Sequence, residues 1–172
     1  MAARCYHARV HRLWAPWRMA YVGGEREPGC LFCMAPGEDP RQRLVLGTTA
    51  GSLVMLNRYP YQNGHLMVAP RRHAAKLGEL PAAEHVDLGE TLRRSLESLE
   101  AAVGPEGFNV GMNLGVSAGA GIADHLHWHI VPRWSGDTNF MPFLAEVRVM
   151  PQHLLDTYDR LRPMFGWLTT AP

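Results

Sequence analysis

Three histidines recur at every second position in Asp124-His125-Leu126-His127-Trp128-His129-Ile130-Val131-Pro132-Arg133. Imidazole titrates near neutral pH and carries two distinct nitrogens, so three of them together suit metal binding, general acid and base work, or nucleophilic attack. Side chains of an extended strand alternate between its faces. The spacing therefore predicts a strand with His125, His127 and His129 on one side and Leu126, Trp128 and Ile130 on the other, one face for chemistry and one for core. A sheet surface whose histidines are merely hydrogen-bonded is the plainer alternative. Directly ahead lies a glycine-rich loop, Gly115-Val116-Ser117-Ala118-Gly119-Ala120-Gly121-Ile122, of a kind whose backbone N–H groups close around phosphate oxygens. Further upstream, Cys30-Leu31-Phe32-Cys33 has a spacing at which two thiolates chelate one zinc ion from a tight turn. A redox pair is the competing use, but no thioredoxin-like βαβ pattern surrounds it.

The elements that must position these groups follow from periodicity. Arg41–Leu46 and Ser52–Leu56 are short runs rich in Val and Leu, separated by Thr48-Thr49-Ala50-Gly51, and predict a β-hairpin. His65–Ala69, closed by Pro70, predicts the next strand. From Leu80-Pro81 the period changes: Leu88, Leu92, Leu96, Leu99 and Val103 recur at three and four, which predicts an amphipathic helix stopped by Gly104-Pro105. Gly107–Met112 predicts a strand leading to Asn113 and the glycine-rich loop. Trp134–Phe140 is expected as a loop and Ala145–Met150 as a short strand. Pro151 suits the first turn of a helix whose Leu154, Tyr158, Leu161 and Phe165 share one face. Strands grouped around one long helix, with hairpin connections and no βαβ alternation, predict an α+β fold on an antiparallel sheet.

At 172 residues the chain is expected to be a single domain, residues 1–172, with an N-terminal arm (1–28), a core (29–137) and a C-terminal strand and helix (138–172). The arm carries Arg4, Arg9, Arg12 and Arg18 among Tyr6, Trp14, Trp17 and Tyr21, and is read as packing onto the domain or across a dimer, ahead of the alternative that Arg and aromatic side chains recognise a base and a phosphate. A net charge of +1 provides no electrostatic case for nucleic acid or a membrane surface. Three cysteines, an odd number, argue against a secreted disulfide framework. With no apolar run of signal-peptide or membrane-spanning length, the expected location is cytoplasmic.

Two segments carry a family resemblance. His125-x-His127-x-His129 followed by Ile130-Val131-Pro132-Arg133, together with Asn57-Arg58-Tyr59-Pro60-x-x-x-Gly64-His65-Leu66-Met67-Val68-x-Pro70, resembles the histidine triad (HIT) family of nucleotide hydrolases and transferases. Leu13-Trp14-Ala15-Pro16-Trp17-Arg18-Met19 and Trp134-x-Gly136-Asp137-x-Asn139-Phe140 narrow the resemblance toward the bacterial branch that includes diadenosine polyphosphate phosphorylases.

The resemblance implies a homodimer with its two sheets joined and a nucleotide or dinucleoside polyphosphate as substrate. It implies that His127 attacks the α-phosphorus to form a nucleotidyl-histidine, which water or inorganic phosphate then resolves, and that His129 serves the phosphate oxygens or the leaving group. Asn57 and Asn113 map to positions near the ribose and phosphate, although Asn57 equally suits the turn before Pro60. Gly119 and Gly121 would supply backbone N–H donors, and His65 would support the triad or simply be a buried, bonded histidine. A structural zinc would take Cys30, Cys33, His73 and His125 as ligands. Hydrolase branches carry a Gln followed by Ser or Thr ahead of the triad, whereas this chain has Ala120-Gly121-Ile122. That difference favours phosphate as acceptor, with diadenosine tetraphosphate and phosphate giving ADP and ATP. The alternatives are a phosphoramidate or dinucleotide hydrolase that releases AMP, and a non-catalytic nucleotide-binding protein.

Overall fold

The computed structural model describes residues 29–33, 37–137 and 152–169. The N-terminal arm, the strand expected at Ala145–Met150 and Pro151 lie outside the described residues. Five strands form one antiparallel sheet: β1 (Val45–Thr48), β2 (Ser52–Leu56), β3 (Leu66–Pro70), β4 (Gly107–Met112) and β5 (Trp128–Arg133), in the spatial order β1-β2-β3-β5-β4. Helix α1 (Ala82–Val103) links β3 to β4, and helix α2 (Leu154–Leu161) follows β5 in the chain. The fold is α+β, as the periodicities predict.

Both faces of β1–β3 are buried. Leu46, Val54, Leu56, Leu66, Val68, Leu126 and Ile130 point to the helical side, where they pack with Leu88, Leu99, Leu161 and Phe165. Val45, Leu53, Met55, Met67 and Ala69 point the other way and are covered by Phe32, Leu31 and Ile122. Each fully buried Leu or Ile contributes about 1.5–3 kcal/mol from removal of apolar area from water.

The first strand runs Val45–Thr48 rather than Arg41–Leu46. Residues 41–44 form a turn in which Leu44 N–H donates to Arg41 O, and Leu44 itself has φ +62°. A β-bulge between Val45 and Gly47 then sets the hairpin register.

The helix α1 begins at Ala82 and ends on Gly104, whose left-handed backbone (φ +54°) donates its N–H to Glu100 O. Its fully buried residues are Leu88, Thr91, Ser95, Ser98 and Leu99, while Leu92, Leu96 and Val103 are only partly buried. Small polar residues thus share the fully buried stripe with Leu88 and Leu99, and Leu92 and Leu96 lie at its margin. Ser95 Oγ donates to Thr91 O at 2.7 Å and Ser98 Oγ accepts from Trp167 Nε1 at 2.9 Å, so their hydroxyls are paired.

Helix α2 buries Thr157, Tyr158 and Leu161, with Leu154 partly buried, then tightens into a 3₁₀ turn at Arg162–Phe165. Pro163 has no N–H to continue the α-helical ladder, which accounts for the change. Tyr158 Oη donates to Val45 O at 3.0 Å and locks the helix onto β1.

The triad does not lie wholly on a strand. The strand β5 starts at Trp128, so only His129 stands on it; His125 and His127 belong to the segment leading in. The ladder between β3 and β5 stops at Val68↔Trp128. Beyond it Pro70 has no N–H to offer, and Leu126 N–H donates instead to Ala74 O at 2.8 Å. The expected alternation nevertheless holds in the packing, since Leu126, Trp128 and Ile130 join the core under the helices.

Candidate active site and metal centre

The three triad imidazoles each have one nitrogen bound to an internal partner, and this assigns a task to the other. His125 is fully buried, and its Nε2 lies 2.8 Å from the carbonyl oxygen of Pro70. A carbonyl only accepts, so Nε2 carries the hydrogen and Nδ1 the lone pair. That lone pair lies 3.2 Å from Cys30 Sγ and 3.7 Å from Cys33 Sγ, and Cys33 Sγ lies 3.4 Å from His73 Nδ1.

The ligating atoms of Cys30, Cys33, His73 and His125 are all within 4.8 Å of one another. Four thiolate and imidazole ligands around zinc at ordinary bond lengths sit about 3.3–3.8 Å apart, so these contacts fit a closed tetrahedral site. The Pro70 carbonyl would be the outer partner that orients the His125 imidazole toward such an ion. Burial, aided by the neighbouring Cys30, pushes the Cys33 thiol up to about 11. A divalent cation reverses this by favouring the thiolate. The donor set, the tautomer of His125 and the spacing therefore all fit a metal ion.

His127 is almost fully buried, and its Nδ1 donates to the backbone carbonyl of His125 at 2.9 Å. Its Nε2 consequently holds the lone pair. Burial pushes both His125 and His127 below the ordinary imidazole value, which favours the neutral, nucleophilic form of His127. Phe32 packs beside it, with ring centroids 4.7 Å apart, and also lies 5.1 Å from the His125 ring.

His129 stands on β5 opposite Met67, with its ring centroid 4.8 Å from that of His127. Its Nδ1 lies 3.0 Å from Nε2 of the fully buried His65. The tautomers follow from one end: Tyr61 N–H donates to His65 Nδ1 at 3.1 Å, so His65 carries its hydrogen on Nε2 and donates to His129 Nδ1. His129 is left with an N–H at Nε2, a donor beside the His127 ring. His65 is therefore joined directly to the triad.

The remaining predicted residues are less uniformly gathered. Asn57 Oδ1 accepts from Tyr59 N–H at 2.8 Å, the turn-forming use of this residue. Asn113 directly follows β4, whose register against β5 pairs Gly111 with His129 and Met112 with Trp128, so the next step leads toward His127. Gly119 (φ +83°) closes the 3₁₀ turn Val116–Ala118, and its N–H donates to Val116 O at 2.9 Å. That amide is engaged within the loop. Gly121 follows in the segment before the triad, and Ile122 packs into the apolar cluster around Phe32.

Phe32 and Tyr61 were not legible as site residues. Phe32 had a signal: any metal joining Cys30 and Cys33 to His125 must bring the residue between the cysteines close to the triad. Tyr61, which stacks on His65 with centroids 5.1 Å apart and planes 18° apart, had none.

The HIT domain family model matches residues 40–136. The chain is similar to an AP-4-A phosphorylase of Mycobacterium tuberculosis, with 37% identity over 158 residues that cover 87% of this chain and 81% of the relative. It is 36% identical to the adenosine 5'-monophosphoramidase hnt1 of Schizosaccharomyces pombe over 105 residues, covering 60% of this chain and 74% of that one. Among solved structures, a hypothetical histidine triad nucleotide-binding protein of Sulfolobus tokodaii aligns with a TM-score of 0.59 at 24% identity, covering 79% of this chain and 89% of that one. A Zn-bound histidine triad family protein of Mycobacterium smegmatis aligns with a TM-score of 0.58 at 21% identity, covering 72% and 84%; these two likenesses concern the fold. With the family model spanning more than half of the chain and the triad geometry described above, the protein belongs to the HIT family, among its nucleotide-processing enzymes.

Proposed function

We propose that this enzyme is a dinucleoside polyphosphate phosphorylase that works through a nucleotidyl-histidine on His127. The observation that carries the reading is the bond from His127 Nδ1–H to His125 O, which leaves a lone pair on Nε2 of a buried, neutral imidazole. That nitrogen attacks the α-phosphorus, a P–N bond forms, and the P–O bond to the leaving polyphosphate breaks. His129 Nε2–H hydrogen-bonds the phosphate oxygens and stabilises the charge that develops there. An oxygen of inorganic phosphate then attacks the same phosphorus and the P–N bond breaks. With diadenosine tetraphosphate the first step releases ATP and the second ADP.

The acceptor assignment rests on the loop ahead of the triad. Ile122 is committed to the apolar cluster and Gly121 has no side chain, so no amide or hydroxyl side chain stands at these positions to hold a water. The Gly121 N–H and the Asn113 side chain are the proposed anion donors, and Asn57 meets the ribose with its amide nitrogen. The 37% identity to a relative named as a phosphorylase supports the same choice.

Zinc, when bound, supplies a closed cross-link between Cys30, Cys33, His73 and His125 and no open position for water. The chain is proposed to act as a single HIT domain and as a homodimer joined at β4, which lies at the sheet edge with Asn109 and Val110 exposed. Among the described residues no helix is long and apolar enough to cross a membrane, and a cytoplasmic location is part of this proposal.

The test is product chromatography of diadenosine tetraphosphate reactions at several phosphate concentrations. ADP and ATP in equal amounts, at a rate that rises with phosphate, support phosphorolysis. AMP and ATP at a rate independent of phosphate would make the enzyme a hydrolase, the reading that the phosphoramidase relative favours.

A further inference from the structure

Between β2 and β3 the loop that carries His65 bonds largely to itself: Tyr59 N–H to Asn57 Oδ1 at 2.8 Å, Asn57 N–H to His65 O at 2.9 Å and His65 N–H to Gln62 O at 3.1 Å. The last of these closes the turn Gln62-Asn63-Gly64-His65, with Gly64 at φ +78° in the third position that requires it. Asn63 reaches out of this loop. Its Oδ1 lies 2.8 Å from Thr157 Oγ1 and its Nδ2 lies 3.4 Å from Gln152 Oε1.

Thr157 belongs to α2 and is 1% exposed. A β-branched residue with a hydroxyl is a modest helix former, and burying that hydroxyl is costly unless it is paired. Here Oγ1 lies within 3.1 Å of His153 O as well as beside Asn63. One hydroxyl proton serves one acceptor. If it goes to His153 O, a turned Asn63 amide donates to the oxygen instead, so the joint is bonded in either orientation. The helix behind it is firmly seated: Tyr158 is bonded to Val45 O, and Leu161 and Phe165 have no exposed surface.

The joint thus runs from a fixed helix to the second residue of a tight turn, and the fourth residue of that turn is His65. His65 in turn holds His129 Nδ1 at 3.0 Å. We propose that Thr157 and Asn63 are positioning residues for His129, acting through His65, so that the C-terminal helix sets the direction of the N–H that serves the substrate phosphate. The proposal rests on the reading of His129 as a phosphate donor. It adds to that reading a residue 28 positions beyond the triad in the chain that governs the donor's aim.

The experiment compares Thr157→Val, which keeps the shape and loses the hydroxyl, with Thr157→Ser, which keeps it. Thr157→Val is expected to lower kcat about tenfold with KM within about twofold, because a small misdirection of a positioned donor costs turnover rather than binding. Thr157→Ser should recover most of the loss. In a His65→Ala background, Thr157→Val should have almost no further effect on kcat, since the path it acts through is already cut.

Imidazole ¹⁵N spectra supply a readout independent of turnover. Wild type should show His129 with its hydrogen on Nε2, and Thr157→Val a mixture of tautomers. A kcat loss that is as large with His65→Ala as without it, equal losses for Val and Ser, or wild-type kcat with an unchanged spectrum would each overturn the proposal. If wild type turns over no nucleotide, the functional reading fails, and the ¹⁵N comparison still decides the positioning. Should Thr157→Val not fold, Asn63→Leu breaks the same joint from the half-buried side and is read in the same way.

Discussion

His127 Nδ1 donates to the backbone carbonyl of His125 at 2.9 Å, while the His125 side chain turns Nδ1 toward two cysteines. One residue thereby joins both candidate centres: its imidazole faces the cluster of Cys30, Cys33 and His73, and its peptide oxygen sets the tautomer of His127, the proposed nucleophile. Phe32, held between the cysteines, packs on the same His127 ring. The candidate metal site and the proposed reaction site share one wall.

Loss of the thiols should therefore affect both stability and turnover. Cys30→Ser with Cys33→Ser is expected to abolish metal binding and lower the melting temperature by about 5–10 °C, on the scale of a few kcal/mol in a chain of this size. Elemental analysis and calorimetry check it. Wild-type protein prepared with zinc present that contains no metal, or a double variant that melts with wild type, would refute the site.

The nucleophile is tested by His127→Asn. Turnover should fall by about 10³-fold or more, with nucleotide affinity largely kept, because no other group offers a covalent route of similar barrier. Mass spectrometry of the quenched wild-type enzyme should detect one nucleotidyl group on His127. A variant within about tenfold of wild type, or an adduct on His129, would exchange the assigned roles.

Acid sensitivity follows from burial. His125 and His127 are both held below the ordinary imidazole value, so below about pH 6.5 the unfolded chain binds protons that the folded chain resists. Their contribution to stability is present above the unfolded value and is lost as pH falls toward the folded one. Denaturant melts from pH 8 to 5 should show stability declining with acid, and His127→Asn, which removes one of the two groups, should reduce the slope. An identical slope in the variant would show that His127 does not contribute.

Gly47 tests the seating of the C-terminal segment. Its φ is +151°, and a Cβ there would stand 2.6 Å from both Leu168 Cβ and Thr169 O. Gly47→Ala should cost about 1–3 kcal/mol or more, as overpacking against backbone does. The same variant should loosen the pairing of Thr48 with Thr169. Denaturant melts and amide exchange at Thr169 report it, and wild-type values for both would refute the close approach.

Much of the local structure was legible along the chain. The period of three and four from Leu88, the stop at Gly104-Pro105 and the run Gly107–Met112 match α1 and β4 because caps and periodicity are local properties. The alternation through 125–130 placed Leu126, Trp128 and Ile130 in the core correctly. It did not mark the start of the strand, because that depends on Pro70, 55 residues from His125, failing to extend the ladder and giving its carbonyl to an imidazole. Nor did apolar spacing reveal that Thr91, Ser95 and Ser98 are fully buried on α1, since the Ser95 and Ser98 hydroxyls are paired there by a helix carbonyl and by Trp167.

For the site, residue types and spacing alone determined that three imidazoles and two thiols were available. Which nitrogen of each imidazole carries the hydrogen was decided by tertiary structure: Pro70 O for His125, His125 O for His127, and Tyr61 N–H through His65 for His129. A histidine's tautomer is set by the partner its other nitrogen meets. Except for the His125 carbonyl beside His127, those partners come from other parts of the chain, so composition and local spacing carried the chemistry while the packing of β3, its preceding loop and the triad segment gave each ring its task.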